Sequence, residues 1–181
     1  MFKIDNEEEF ERVFNKRFGD IDRNTLSKIK DDRLRIELGG KKDGSARLPQ
    51  ILSRCNSILR FCFDNKVFWL RIILWSDKEE INLKNAGFSF HKASKVFRLK
   101  GEYETLYMHF NRYSKTFALP IIKSIVNFDM AEEPSANITC YFVSFSRPLI
   151  INIYDDRGLD IYSPNKELLN RTRKEFFDLI M

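Results

Sequence analysis

The chain's 181 residues predict an α+β fold. We expect one mostly antiparallel sheet of about five or six strands, with helices packed on it and a C-terminal β-hairpin followed by a helix. Three observations carry this. Amphipathic helices come early. "VFWLRIILW" at 67–75 is β-branched, aromatic and nearly continuous, as in an interior strand. Three strand patterns then follow one another between 137 and 162, joined by tight turns.

The elements follow in order. Asp5 is the predicted cap of a first helix, with Glu8 three residues on as in a capping box. Phe10, Val13, Phe14 and Phe18 fall at helical spacing, and Gly19 ends the run. Residues 20–32 are polar and predict a short helix or turn. "RLRIELGG" alternates: Leu34, Ile36 and Leu38 face one way, Arg33, Arg35 and Glu37 the other. Leu48, Ile51, Leu52, Cys55, Ile58, Leu59 and Cys62 mark a second helix with Pro49 in its first turn.

Residues 79–86 predict a short helix ending at Gly87, and 95–101 and 103–110 predict strands. "LPIIKSIVNF" at 119–128 predicts a helix beginning at its proline. Strands at 137–145, 149–154 and 159–162 follow. Ser163 and Pro164 then suit the N-cap and first position of a closing helix that runs to about 179, with Leu168, Leu169, Thr172, Phe176 and Ile180 on its inner side.

This length fits one domain spanning 1–181. With 17 Phe, 6 Tyr and 2 Trp, the core is aromatic. Cys55, Cys62 and Cys140 are an odd set in apolar positions, which argues against a disulfide framework and against a reactive thiol. His91 and His109 are not spaced to complete a zinc site, so no metal and no cofactor is expected. The acidic start "MFKIDNEEEF" has no apolar signal region, and Arg71 breaks the longest apolar run. A cytoplasmic protein without membrane contact is the expectation.

"IYDDRGLDIYSP" at 153–164 concentrates charge. Asp155 suits the first position of a type I turn, and Gly158 suits a left-handed residue after it. That leaves Asp156, Arg157 and Asp160 unexplained. Strand connectivity puts this turn at the same end of the sheet as "MAEEPSAN", with Glu132 and Glu133. Residues 129–160 hold six acids (Asp129, Glu132, Glu133, Asp155, Asp156, Asp160) against Arg147 and Arg157, a net of −4 in a chain of net +5. A solvated sheet end and a rim that steers a basic partner both fit.

A basic group stands apart from it. Lys84, Lys92, Lys95, Arg98 and Lys100 have no acid among them between 84 and 100, and Phe88, Phe90 and Phe97 interleave. Such a pattern can track phosphates, with the rings stacking on bases if exposed, although no nucleic-acid motif accompanies it. Arg47 and Arg54, seven apart on a helix, offer a weaker phosphate pair. No nucleophile elbow, P-loop or dinucleotide fingerprint is present, which weighs against familiar enzymes.

"FRLKGEYETLYMHF", "EEPSANITCYFVSF" and above all "LIINIYDDRGLDIYSPNKELL" resemble an uncharacterised bacterial family, a domain of unknown function with a C-terminal YDDRG-type hairpin followed by a helix. The likeness runs from Leu34 to the last helix. It implies a small, soluble bacterial protein of one domain, and no activity. Asp155, Asp156, Arg157, Gly158 and Asp160 match the signature, which favours a structural lock or a binding role, such as Arg157 or Arg147 paired with Asp160 or Glu133.

The function expected is that of a non-enzymatic binding protein of the immunity type, neutralising a cognate basic toxin by surface complementarity. Glu132, Glu133, Asp155, Asp156, Arg157 and Asp160 would form its partner-binding edge. The alternatives are a nucleic-acid-associated protein using the basic group, or an enzyme of unfamiliar type with carboxylates at the hairpin.

Overall fold

The structure, a computed structural model, describes residues 3–19, 21, 26, 32–40 and 44–181. Most of the polar stretch at 20–32 lies outside the described residues.

The described chain runs α1 (Glu7–Phe18), β1 (Arg33–Glu37), α2 (Arg47–Phe63), β2 (Phe68–Leu74), α3 (Glu79–Asn85), β3 (Lys95–Leu99), β4 (Glu104–Phe110), α4 (Lys115–Asp129), β5 (Ile138–Ser144), β6 (Leu149–Ile153), β7 (Gly158–Tyr162) and α5 (Lys166–Glu175). The strands form one antiparallel sheet of seven, ordered β1-β7-β6-β5-β2-β4-β3. The α+β class stands as expected. The count exceeds five or six because short β1 and short β3 both join the sheet, as its two edges.

Pleating sends alternate residues to opposite faces, and both faces are covered. Leu70, Ile72 and Leu74 of β2 join a core with Ile51, Cys55 and Leu59 of α2, Ile121, Ile122 and Ile125 of α4, and Leu168 and Leu169 of α5. Trp69 and Ile73 join a second core with Phe10, Val13, Phe14 and Phe18 of α1. The aromatic stripe of α1 is therefore the lid of the second face. Phe10 packs within 5.9 Å of Phe14, Trp69, Tyr107 and Phe145, centroid to centroid. Full burial of one such ring contributes roughly 1.5–3 kcal/mol. Under the same helix, Glu11 accepts hydrogen bonds from Arg71 Nε at 2.7 Å and Tyr107 Oη at 2.6 Å, which pairs a charge that would otherwise be buried alone.

Several element ends differ from expectation for identifiable reasons. Asn6, not Asp5, caps α1: its side chain accepts from the Glu9 N–H, while the Glu9 carboxylate reaches back to the Asp5 N–H. The cap lies one residue later than expected, and the return bond from Glu9 reaches the residue before it rather than closing a standard box. Helix α4 begins at Lys115 rather than at 119, because Ser114 caps it by accepting from the Thr116 N–H and Phe117 stacks 4.2 Å from Phe110. Pro120 thus lies inside the helix, where the anchored first turn outweighs one missing hydrogen bond. At the other end of the chain, Ser163 accepts from the Asn165 N–H but donates to the Pro148 carbonyl, and Asn165 is the cap of α5. Helix α5 stops at Glu175, and a 3₁₀ turn at Phe177–Leu179 follows. The last residues then cover the outer edge of β1: Ile180 bridges Ile36 and the Met181 N–H donates to the Arg35 carbonyl. No described helix is long and apolar enough to cross a membrane.

Candidate functional site

The β6–β7 turn and the C-terminus of α4 meet at one end of the sheet. Strand β6 delivers Asp155 and Asp156 there, and α4 delivers its last residue, Asp129. One carboxylate oxygen from each of the three lies within 4.8 Å of the others. Asp155 and Asp156 are buried and Asp129 is exposed.

Each buried acid has its own guanidinium. Asp155 folds over the turn: its Oδ1 accepts from the Arg157 and Gly158 N–H groups, and its Oδ2 accepts from Arg157 Nε at 2.6 Å. Asp156 pairs with Arg47 Nε from the start of α2. Arg47 also lies against Gly39, where a Cβ would meet its guanidinium at 2.6 Å. Two cations thus stand against three acids. Burial, then a hydrogen bond to the Asp156 carboxyl, then the charges of Asp155 and Asp156 push Asp129 above the ordinary aspartate range, against a smaller pull from Arg157.

This geometry defines what the cluster can hold. Mg²⁺ or Ca²⁺ takes six or more oxygens, several of them from water, so three carboxylates can serve as a ligand set, with Arg157 and Arg47 competing for Asp155 and Asp156. Asp129 faces solvent together with the largely exposed Arg157 guanidinium, and its carboxyl is backed by the charges of Asp155 and Asp156. That arrangement also suits one incoming ammonium or guanidinium group.

A family described as "Domain of unknown function (DUF3885)" matches residues 8–181. The chain belongs to this family. No curated protein and no solved structure matches it.

Other sequence-predicted residues of this DUF3885 chain are distributed differently. Glu132 and Glu133 are exposed in the loop after α4. Glu133 turns inward on its own loop, accepting from Ser135 N–H at 2.8 Å and Ser135 Oγ at 3.1 Å. Asp160 is not on the rim. It alternates with Leu159 and Ile161 and so projects from the opposite face of β7, 2% exposed, paired with Arg33 of β1. Burial raises Asp160 above the usual carboxylate range, against the nearby Arg33 and Arg35. The expected pairing of Arg157 or Arg147 with Asp160 or Glu133 is not what forms: Arg157 takes Asp155, Arg33 takes Asp160 and Glu133 takes Ser135.

Gly158 also needs a new reason. It is the first residue of β7, paired with Glu37, and it is not among the glycines of positive φ. A left-handed turn residue is therefore the wrong explanation. A Cβ there would stand 2.7 Å from Tyr154 Oη and 2.9 Å from the Ile36 carbonyl. Glycine is required by close approach, since Arg35 Nε donates to that phenol oxygen at 2.7 Å and holds it over the strand.

The basic group is largely matched. Lys84 and Arg98 both bind Glu80, Arg98 also binds Glu104, and Lys95 binds Asp5. Lys92 donates to Thr116 Oγ1, and Lys100 lies at the tip of the β3–β4 hairpin. Phe88 is buried, and Phe90 and Phe97 pack against the two cores rather than projecting to solvent. Arg54 donates to the Leu38 carbonyl at 2.8 Å, which turns it toward the backbone of β1. The acids that neutralise these cations come from other windows of the chain, so a local charge count missed them. Arg47 was missed as the partner of Asp156 for the same reason: the two are 109 residues apart.

Proposed function

We propose that this protein is a non-enzymatic binding protein whose partner is a basic protein, and that the acidic end of the sheet is its contact surface. Asp129 is the centre of that surface, with Glu132, Glu133 and the exposed Arg157 beside it and Asp155 and Asp156 behind. The role fits an immunity protein, which neutralises a toxin by covering it and needs surface complementarity rather than catalytic groups.

One observation carries the reading. An exposed carboxyl is held within 4.8 Å of two buried ones, whose negative charge opposes its ionisation. A lysine or arginine of a partner relieves that opposition on binding. Asp155, Asp156 and Gly158 serve the surface by fixing the turn on which it is built. Asp160 braces β7 against β1 and takes no direct part.

The test is affinity capture of the tagged chain from cells that express it naturally, with nuclease treatment of the eluate. An Asp129→Asn/Glu132→Gln/Glu133→Gln variant is run beside it. The reading expects a stoichiometric basic protein that the variant loses. Equal retention by the variant, or nucleic acid in place of protein, removes the acidic end from consideration.

A further inference from the structure

A cavity of about 660 Å³ opens at the opposite end of the sheet, between the N-terminal segment, the end of α1 and the ends of β2, β4 and β5. Its size falls within the range of small-molecule sites, roughly 300–1,000 Å³. Ile4, Val67, Trp69 and Phe145 supply apolar wall. Trp69 is held rigidly by Phe97 at 5.8 Å and by His109 at 4.9 Å and is 6% exposed, so a small part of its ring borders the cavity. Phe145 is fixed edge-on against Phe10 at 5.3 Å.

The polar lining is one-sided. Lys3, Arg17 and Lys95 border the cavity, and no acidic residue does so among the described lining residues. Lys3 and Lys95 both pair with the Asp5 carboxylate, at 2.9 and 2.7 Å, and the Glu9 carboxylate lies close enough to act on Lys3 as well. His109 Nδ1 is engaged by Ser94 Oγ at 2.6 Å. Burial, with the Lys95 charge second, holds His109 below the ordinary histidine range, which makes its ring a neutral part of the wall.

We propose that this cavity binds a small organic anion with a flat apolar body, an aryl carboxylate by class. The ring lies against Trp69 and Phe145, and the carboxylate competes with Asp5 for the ammonium groups of Lys3 and Lys95. Rigid aromatic walls select a planar ligand, and charge-assisted hydrogen bonds orient it. The site is independent of the acidic end, because Trp69 pairs with Val143 near the finish of β5 whereas Asp155 lies beyond the end of β6 that leaves Tyr141.

The test is a ¹H–¹⁵N NMR titration with 2-naphthoate, and with 2-naphthamide as the neutral isostere. The Trp69 indole signal reports the site. Trp75, which lines a separate cavity, is the internal control. The proposal expects saturable shifts at Trp69 and none at Trp75, with roughly tenfold weaker binding of the amide. Lys95→Met should bring naphthoate toward the amide's affinity. Ser146→Phe, at the exposed mouth, should block both ligands while the rest of the spectrum is unchanged. An unmoved Trp69, equal affinity for acid and amide, or undiminished binding by a folded Ser146→Phe protein would overturn it.

Discussion

A Cβ placed on Gly158 would lie 2.7 Å from the phenol oxygen of Tyr154, a contact that real side chains do not make. Tyr154 cannot simply swing aside, since Arg35 Nε holds the same oxygen at 2.7 Å and stacks over its ring at 5.3 Å. Gly158→Ala should therefore destabilise the protein by about 1–3 kcal/mol, the usual cost of overpacking. Urea unfolding measures it. Tyr154→Phe in the same background should recover part of the loss by removing the clashing oxygen. Gly158→Asn, which a left-handed position would tolerate, should be worse than alanine.

Arg47 and Asp156 join the start of α2 to the β6–β7 turn, and both side chains are mostly buried. Removing either alone breaks a mostly enclosed ion pair. Arg47→Met should lower stability by about 2–4 kcal/mol, and Asp156→Asn by somewhat less. The double variant should lose distinctly less than the sum. A double-mutant cycle from urea midpoints checks this, and additive losses would mean that the pair is not coupled.

How much of this was legible follows from where each signal resides. The α1 stripe, the β2 run and the inward residues of α2 rest on local periodicity, which tertiary context did not overturn. Element ends were less legible because caps compete at adjacent positions: Asn6 beside Asp5, Asn165 beside Ser163. The turn end of the sheet was readable from connectivity, so the meeting of the α4 terminus with Asp155 and Asp156 follows from strand order. Its burial was not readable. Arg33 and Arg47 reach the hairpin only because β1 pairs with β7 and α2 begins beside the turn. Lys95 and His109 become neighbours only through the β3–β4 register.

The Glu80–Arg98 pair gives the chain a stability dependence in acid. Hydrogen bonds from Arg98 first, and then from Lys84, hold the Glu80 carboxyl down at about 2 against an ordinary 4.5. A depressed folded value contributes stability above the ordinary range and loses it as pH falls toward the folded value. Thermal midpoints between pH 5 and pH 2 should fall less steeply for Glu80→Gln than for the parent. Added salt should narrow the difference, because the pair is partly exposed.

Asp160 works in the other direction. Its folded value is raised, chiefly by burial, so the folded state holds the proton more tightly than the unfolded chain. Its contribution is largest below the ordinary aspartate range and is lost as pH rises through the raised value. Asp160→Asn should flatten that part of the stability profile, read from unfolding midpoints across pH 3–7. Direct NMR titration of the Asp160 carboxyl should show a midpoint above that of a free aspartate, and a midpoint below it would contradict the assignment.

Cys55, Cys62 and Cys140 are all buried free thiols, and burial pushes Cys62 up to about 12 and the other two upward as well. A thiol that is neither exposed nor ionised is a poor nucleophile. A disulfide reagent at pH 8 should titrate close to none of them in the native protein and all of them in denaturant. Fast native labelling of Cys62 would show that α2 opens locally.

The central claim concerns Asp129. Once the captured partner is in hand, calorimetric titration should compare the parent with Asp129→Asn and Asp160→Asn. The account predicts that Asp129→Asn weakens binding about tenfold and reduces its salt dependence, while Asp160→Asn, enclosed beneath the far face, leaves affinity unchanged. Unchanged affinity for Asp129→Asn in a correctly folded protein would contradict the account.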